Sequence, residues 1–575
     1  MKRSHEELVL AARAWIDGDP DPSTRAELAA LVDAGDYAAL DERLRPLSFG
    51  TAGLRGAVGA GSGRMNTAVV IRTAYGIARY LQEQPGSGSA PIVIGFDARP
   101  TSRGFAEVSA GVLRAAGFAV VAFSSPTATP LCAFMGRELS ASITIVVTAS
   151  HNPRGDNGYK VYGPAAVQIV APLDSEIARH IADAPSAREV PRQPVSFDQR
   201  PPAGLTLLDQ TSLNGYFAAV SAAIPPQASP RTLPIVHSAL HGVGTVPMLR
   251  TLADAGFTCV DVVATQAEPD GAFPTTPFPN PEEPGTLDLA MAEGERRGAA
   301  LLLVNDPDAD RLAAAARLDG VLTVLDGNQV GALLADYALA QCRTSPTPLV
   351  LSSVVSSPLV ALLAAKRGAH YERTHTGFKW LWTAALELEK RGVGRFCFAY
   401  EEALGYSVFP AVRDKDGIAA GRALAELAAA QAAGGATLFD RLHELYAEHG
   451  LWASAARSLA LDSADARTRV AQRLDMLGSQ PAALAIGGQR VARVVDYRVG
   501  GADRAAWLAA AQLLELELED GSRLFVRPSG TEPKLKLYAH VRRDVTQRGE
   551  LAHDLAAARS SAAALLQELA ATLQR

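Results

Sequence analysis

Short apolar runs of strand length recur along this chain and alternate with alanine- and leucine-rich stretches of helical length. The runs are PIVIGF at 91–96, FAVVAF at 118–123, ITIVVT at 143–148, LPIVHS at 233–238 and ALLLVN at 300–305. This alternation favours α/β layers. At 575 residues the chain is too long for one core, since single cores stop growing near about 250 to 300 residues, so three or four domains are expected. The proline-rich, polar segment 182–205 reads as a linker between the first and second. We place boundaries near 205, 322 and 450, giving segments 1–205, 206–322, 323–450 and 451–575. A second irregular stretch, EPDGAFPTTPFPNPEEPG at 268–285, holds too many prolines for regular helix or central strand. It reads as a long ordered surface loop, because Phe273 and Phe278 interrupt it.

With 48% hydrophobic and 20% charged residues the composition is that of a soluble globular protein. A net charge of -6 argues against a broad nucleic-acid surface and leaves any phosphate binding to a local cleft. Cys132, Cys259, Cys342 and Cys397 show no paired spacing of a zinc site or redox dithiol, and are expected to be reduced, buried thiols. The first residues carry Glu6, Glu7 and Asp17 and read as an amphipathic helix rather than a signal peptide. There is no charge-free apolar run of the roughly 20 residues a membrane span needs. A cytoplasmic enzyme with no membrane or nucleic-acid partner is the expectation; the oligomeric state is not legible.

Several stretches carry chemistry. TASHNP, 148–153, puts Ser150 and His151 in a turn after a strand; the serine could be a loop hydroxyl, a nucleophile or a phosphate carrier. NDPDADR, 305–311, sets Asp306, Asp308 and Asp310 at alternate positions after an apolar strand, where three hard oxygen ligands can converge on one divalent cation such as Mg²⁺. An EF-hand is excluded, because it would need glycine where Arg311 stands and glutamate where Arg317 stands. The competing reading is a solvated acidic turn. RPSGTEPKLKLY, 527–538, combines Arg527, Ser529, Gly530, Thr531 and Lys534, a phosphate-binding set of guanidinium, hydroxyls and accessible backbone N–H groups, or a basic turn before a strand. FAYEEALGY, 398–406, carries Glu401 and Glu402 in a strand-to-helix setting, suited to sugar hydroxyls or to a helix start. THTGFKWL, 374–381, offers His375, Thr376, Gly377 and Lys379 for substrate contact or proton transfer, with Lys379 weighted above His375. FGTAGLRG, 49–56, and FDARPTSR, 96–103, are glycine-rich or basic turns, and Arg55 could face a phosphate.

TASHNP, DPDADR, EEALGY and RPSGTEPK, in this order and at domain-sized intervals, resemble the α-D-phosphohexomutase family over about residues 49 to 538. FGTAGLRG, TGFKWL and EEALGY look most like its phosphoglucomutase-2-like branch, which includes phosphopentomutases. The resemblance implies three related α/β domains and a smaller C-terminal α+β domain similar to TATA-box-binding protein. It implies Ser150 as the phosphoserine, with Asp306, Asp308 and Asp310 holding Mg²⁺ together with an oxygen of that group. Arg311 and Lys160 would be cations near the transferring phosphate. Glu401 would bind sugar, and Arg527, Ser529, Gly530 and Thr531 the non-reacting phosphate. Ala403 stands where many hexose-specific members have serine, which weakens the inference of a hexose.

The activity so implied is interconversion of glucose 1-phosphate and glucose 6-phosphate through glucose 1,6-bisphosphate, which is also the expected activator. Mannose or pentose phosphates are the alternatives, and Lys160 or Lys379 could serve as base. An aspartate-nucleophile sugar phosphatase would fit DPDAD but leaves Ser150 and the C-terminal phosphate turn without a task. An idle sugar-phosphate binder would not be expected to keep the serine and all three aspartates. A serine hydrolase is poorer still, since TASHNP lacks the glycine-flanked nucleophile elbow.

Overall fold

The computed structural model describes residues 3–49, 53–342, 345–461, 463–479, 485–500, 504–528, 534–545 and 547–574. The chain forms two compact units, one of residues 1–315 and 405–426 and the other of residues 316–404 and 427–575. Among the described residues no helix is long and apolar enough to cross a membrane.

The first unit opens with three helices, His5–Gly18, Pro22–Asp33 and Tyr37–Arg43. The first is started by a capping box in which Ser4 and Glu7 satisfy each other's backbone N–H groups. Leu8, Ala12, Leu28, Leu40 and Leu44 form the small core of this module. A six-stranded sheet follows in the order Leu54–Ala57, Asp156–Tyr162, Ile143–Val147, Ile92–Phe96, Val120–Phe123, Leu205–Leu208. The last four strands are parallel, and both faces of Ile92–Phe96 and Ile143–Val147 are buried, which is why those runs carry no polar alternation. The segment expected to be a linker contributes to this domain instead. Ala187, Val190 and Phe197 pack into its core, and Leu205–Leu208 pairs in parallel with Val120–Phe123. Its prolines exclude helix, but its spaced apolar residues still bury.

The second sheet of this unit runs Leu312–Leu318, Leu301–Asn305, Ile235–Ser238, Val260–Val262. The proline-rich loop 268–285 is ordered, with Phe273 buried and Phe278 partly exposed. The returning segment 405–426 brings Asp416 into the same unit. Both carboxylate oxygens of Asp416 accept from the Tyr216 hydroxyl at 2.9 Å, and Oδ1 also accepts from the N–H groups of Ile418 and Ala419. Burial raises its pKa from 3.8 to about 6, against those hydrogen bonds. The folded state therefore binds this proton more tightly than the unfolded chain, so this group's contribution falls as pH rises from 3.8 towards 6. The shift corresponds to about 3 kcal/mol. Asp416→Asn should flatten the decline in urea midpoint across this pH range; an unchanged slope would show that another group carries it.

In the second unit the strand Pro348–Ser353 pairs in parallel with His370–Thr374 on one side and Arg395–Glu401 on the other. The C-terminal domain is a six-stranded antiparallel sheet in the order Leu451–Ala460, Lys534–Arg543, Arg523–Pro528, Leu514–Leu518, Gln489–Asp496, Ala485–Ile486. The helices Ala464–Ser479 and Leu551–Gln574 accompany it, and Leu566, Leu569 and Leu573 join the sheet's leucines in one core.

Two expectations about the cysteines are corrected. Cys342, at the end of the helix Gly327–Gln341, forms a disulfide with Cys397 on the strand Arg395–Glu401, their Cα atoms 6.4 Å apart. Cys259 is free but exposed, so Cys132 alone is the buried free thiol expected. A separation of 55 residues carries no pairing signal in sequence, because the meeting is made by the packing of helix on sheet.

Candidate active site

Ser150 sits at the turn after the strand Ile143–Val147 with φ 51°, a left-handed conformation that residues with a Cβ rarely adopt. Its N–H donates to Thr148 Oγ1 at 2.8 Å. Its hydroxyl donates to Asp306 Oδ2 at 2.8 Å and lies 3.2 Å from His151 Nδ1. Burial first, then the charges of Arg311 and Arg55, hold the His151 imidazole well below its usual pKa and therefore neutral. Arg55, on the strand Leu54–Ala57, donates to Asn152 Oδ1 at 3.1 Å.

The acidic loop leaves the strand Leu301–Asn305 and turns through Ala309, also left-handed at φ 57°. Asp306, Asp308 and Asp310 are all buried, and one oxygen from each lies within 4.8 Å of the others. Asp308 Oδ2 accepts from Lys160 Nζ at 2.6 Å and from Thr129 Oγ1 at 2.6 Å, and Asp310 Oδ2 accepts from Lys160 at 2.8 Å. Asp306 Oδ1 accepts from the N–H of Arg311 at 3.0 Å. Burial, with the charges of Asp308 and Asp310, pushes the Asp306 carboxyl well up. Burial pushes Asp308 and Asp310 the same way, joined for Asp310 by the charge of Asp308, but the cations around them outweigh it, Lys160 and Lys415 for both and Arg311 also for Asp310, and both are held below the usual carboxylate range. Burial acts against the charge on Lys160; its two aspartates overcome that, and its pKa is raised.

A divalent cation fits this donor set. The Oδ1 atoms of Asp308 and Asp310 are buried with no hydrogen-bond partner among the described residues, and such atoms are costly unless something electropositive satisfies them. They are hard oxygen donors of the kind Mg²⁺ takes.

Sequence reasoning missed several participants. Lys415 Nζ lies 3.2 Å from Asp310 Oδ2 and 3.1 Å from Asp414 Oδ1, and Asp414 Oδ2 accepts from the Tyr162 hydroxyl at 2.7 Å. The acid–base–acid triplet DKD in RDKDG, ahead of an alanine-rich helix, was the available signal. Thr129 carried none. The loop at 240–244 supports the acidic loop, with Val243 N–H donating to the Pro307 carbonyl at 2.9 Å. At Gly242 a Cβ would come within 2.3 Å of Pro307 Cα, so only glycine allows that approach. Arg311 pairs with Glu282 of the proline-rich loop at 3.3 Å, and Phe278 of that loop lies 6.5 Å, centroid to centroid, from the His151 ring.

The remaining candidates lie in the second unit. Glu401 ends the strand Arg395–Glu401 and is followed by a turn rather than the expected helix; Leu404 there has φ 63°. Glu401 Oε1 accepts from the N–H of Gly377 at 2.6 Å, while Glu402 Oε2 accepts from the hydroxyls of Ser353 and Ser356. Arg527 Nη1 donates to Thr376 Oγ1 at 2.9 Å. Lys379 is buried in the first turn of the helix Phe378–Lys390. His375 is held by the backbone, its N–H donating to the carbonyl of Trp507 at 3.0 Å and its ring at 2.5 Å from the carbonyl of Ala509. Ser529, Gly530 and Thr531 lie outside the described residues.

This arrangement of α/β domains, with an acidic triad against a strained serine, defines a phosphoryl-transfer enzyme. The chain belongs to the phosphoglucomutase/phosphomannomutase family, whose enzymes are phosphosugar mutases. It matches the family's alpha/beta/alpha domains I, II and III over residues 46–188, 214–319 and 326–449, and its C-terminal domain over 489–558. It is 34% identical to a probable phosphoribomutase of Schizosaccharomyces pombe, over 91% of this chain and 92% of that one. It is 37% identical to a probable phosphomannomutase of Haemophilus influenzae, over 83% and 93%. A crystal structure of the pp63/parafusin phosphoglucomutase from Paramecium shares the fold with a TM-score of 0.66 at 16% identity, covering 91% of this chain and 95% of that one.

Proposed function

We propose that the protein moves a phosphoryl group between C1 and the terminal carbon of an aldose phosphate, with Ser150 as carrier. The observation that supports this most directly is the Ser150 hydroxyl, 2.8 Å from Asp306, which converges with Asp308 and Asp310 on a separate loop as a group able to hold a metal ion. In one half-reaction a sugar hydroxyl oxygen forms a bond to phosphorus as the phosphoserine O–P bond breaks, and the proton the sugar gives up ends on the released Ser150 oxygen. In the other, the opposite phosphate of the bisphosphate returns to Ser150. Such transfer is mainly positioning and charge neutralisation. Asp306, Asp308 and Asp310 would hold Mg²⁺, which supplies positive charge to the transferring oxygens. Lys160, Arg311 and Arg55 add cationic donors. Glu401, with Thr376 and Gly377, would accept sugar hydroxyls, and Arg527 with Ser529, Gly530 and Thr531 would bind the phosphate that is not reacting; Lys379 is a further cation for the substrate.

As the substrate pair we propose glucose 1-phosphate and glucose 6-phosphate, with glucose 1,6-bisphosphate as intermediate and activator. A second reading, pentose phosphates, is favoured by Ala403, which offers the sugar no hydroxyl, and by the name of the phosphoribomutase relative. Steady-state rates with glucose, mannose, glucosamine, ribose and deoxyribose 1-phosphates on one preparation decide between them. The glucose reading expects the highest kcat/KM for glucose 1-phosphate; a pentose preference of tenfold or more would replace it. Release of inorganic phosphate instead of isomerised product would replace the mutase reading by a phosphatase.

A further inference from the structure

The motif FDARPTSR contains a buried guanidinium that none of the chemistry above uses. Arg99 follows the strand Ile92–Phe96, and its side chain is 1% exposed. Nη1 donates to the carbonyl oxygens of Pro153 at 2.8 Å and Asp156 at 2.9 Å. Nη2 donates to those of Ser150 at 2.7 Å and Asn152 at 2.6 Å. One side chain thus gathers four carbonyls of the serine turn. Asp97 anchors it, with Oδ2 at 3.3 Å from Arg99 Nε. The same Oδ2 accepts from the Thr148 hydroxyl at 2.7 Å, and Thr148 Oγ1 in turn accepts the Ser150 N–H at 2.8 Å. The Phe273 ring packs against the guanidinium at 5.0 Å. Ser150 is therefore gripped at both its N–H and its C=O by one connected set of groups.

That grip coincides with a strained backbone. A serine at φ 51° persists only where its surroundings over-determine it. Four carbonyl oxygens turned towards one point would repel one another without a cation between them, and the planar fork of arginine matches two pairs of acceptors where a lysine ammonium cannot. We propose that Arg99 is a positioning residue for phosphoryl transfer: it holds the serine turn in its left-handed form and so fixes the Ser150 hydroxyl against Asp306. The inference rests on Ser150 being the phosphoryl carrier. Among the described residues Arg99 makes no hydrogen bond to the Ser150 hydroxyl or to the acidic triad.

The test uses full-length protein freed of phosphate, mixed with glucose 1,6-bisphosphate and quenched at intervals, with phosphate on Ser150 followed by intact mass and peptide mapping. In Arg99→Lys, transfer to Ser150 should slow about a hundredfold, the cost expected when a reacting atom is misplaced by about an ångström. The KM for the sugar 1-phosphate should stay within about twofold, because an interaction made for the transferring step lowers kcat rather than ground-state binding. Phe273→Leu keeps Arg99 but removes the ring that packs on its guanidinium, which loosens the fork and should slow transfer about threefold. A purely architectural role would lower the melting temperature while leaving the transfer rate per folded molecule unchanged; that outcome in Arg99→Lys overturns the proposal. Should Arg99→Lys not fold, Phe273→Leu decides, and an unaltered transfer rate there overturns it equally. Absence of phosphate on Ser150 in the unmodified protein defeats the mutase reading and this inference together, whereas unaltered variants beside a phosphorylated parent defeat this inference alone.

Discussion

Ser150→Ala should fold, bind sugar phosphate and turn over at least about 10⁴-fold more slowly, the scale of loss when a covalent nucleophile is removed. Alanine keeps the Cβ and so meets the same backbone restriction at φ 51°. It gives up one buried hydrogen bond to Asp306, a cost of about 1 kcal/mol, which a folded domain of this size tolerates. Intact mass of the unmodified protein as purified should show a fraction carrying one phosphoryl group, and the variant none. Phosphate found on Asp306 instead would move the nucleophile to the acidic loop and turn the reading towards an aspartate-based phosphatase. Retention of turnover by Ser150→Ala would remove the covalent mechanism altogether.

The acidic triad gives the second large effect. Chelation should abolish turnover and Mg²⁺ restore it. Mg²⁺ at a hundredfold excess over its dissociation constant should add about 2.7 kcal/mol to stability by mass action, read as a rise in melting temperature. Asp308→Asn should lose most of both effects. It removes the charge whose Oδ1 is buried with no hydrogen-bond partner among the described residues, and also the carboxylate that Lys160 and Thr129 hold in place. The thermal shift reports binding independently of catalysis, so it distinguishes a lost metal site from a damaged active site. Full activity in thoroughly metal-free protein would rule the metal out as a participant.

Much of the chemistry was local enough to be read from the chain. Ser150 and the three aspartates each stand in a short turn at the end of an apolar strand, so residue type and spacing alone mark them as candidates for phosphate and metal. The α/β layering followed from the same cause, because strands buried on both faces must be written as continuous apolar runs. Glu401 was visible as an acid at a strand end, but the turn after it was not. That turn depends on Leu404 in a left-handed conformation, for which leucine carries no local preference.

What only tertiary structure decided is the company these residues keep. Lys160 lies 148 residues from Asp308 in sequence and Thr129 lies 179 from it, yet both donate to the same carboxylate oxygen. Lys415 arrives from a segment that leaves the first unit and returns to it, and Cys342 meets Cys397 because a helix end packs on a sheet. Arg99 looked like a turn residue, since nothing in FDARPTSR announces that four carbonyls will face it. The sequence by itself determined which residue types stand at the positions proposed for phosphate and metal, and at what local spacing. Their charge states and mutual orientation came from burial and from partners distant along the chain, because electrostatic strength depends on desolvation and separation in space, and neither is encoded at the position of one residue.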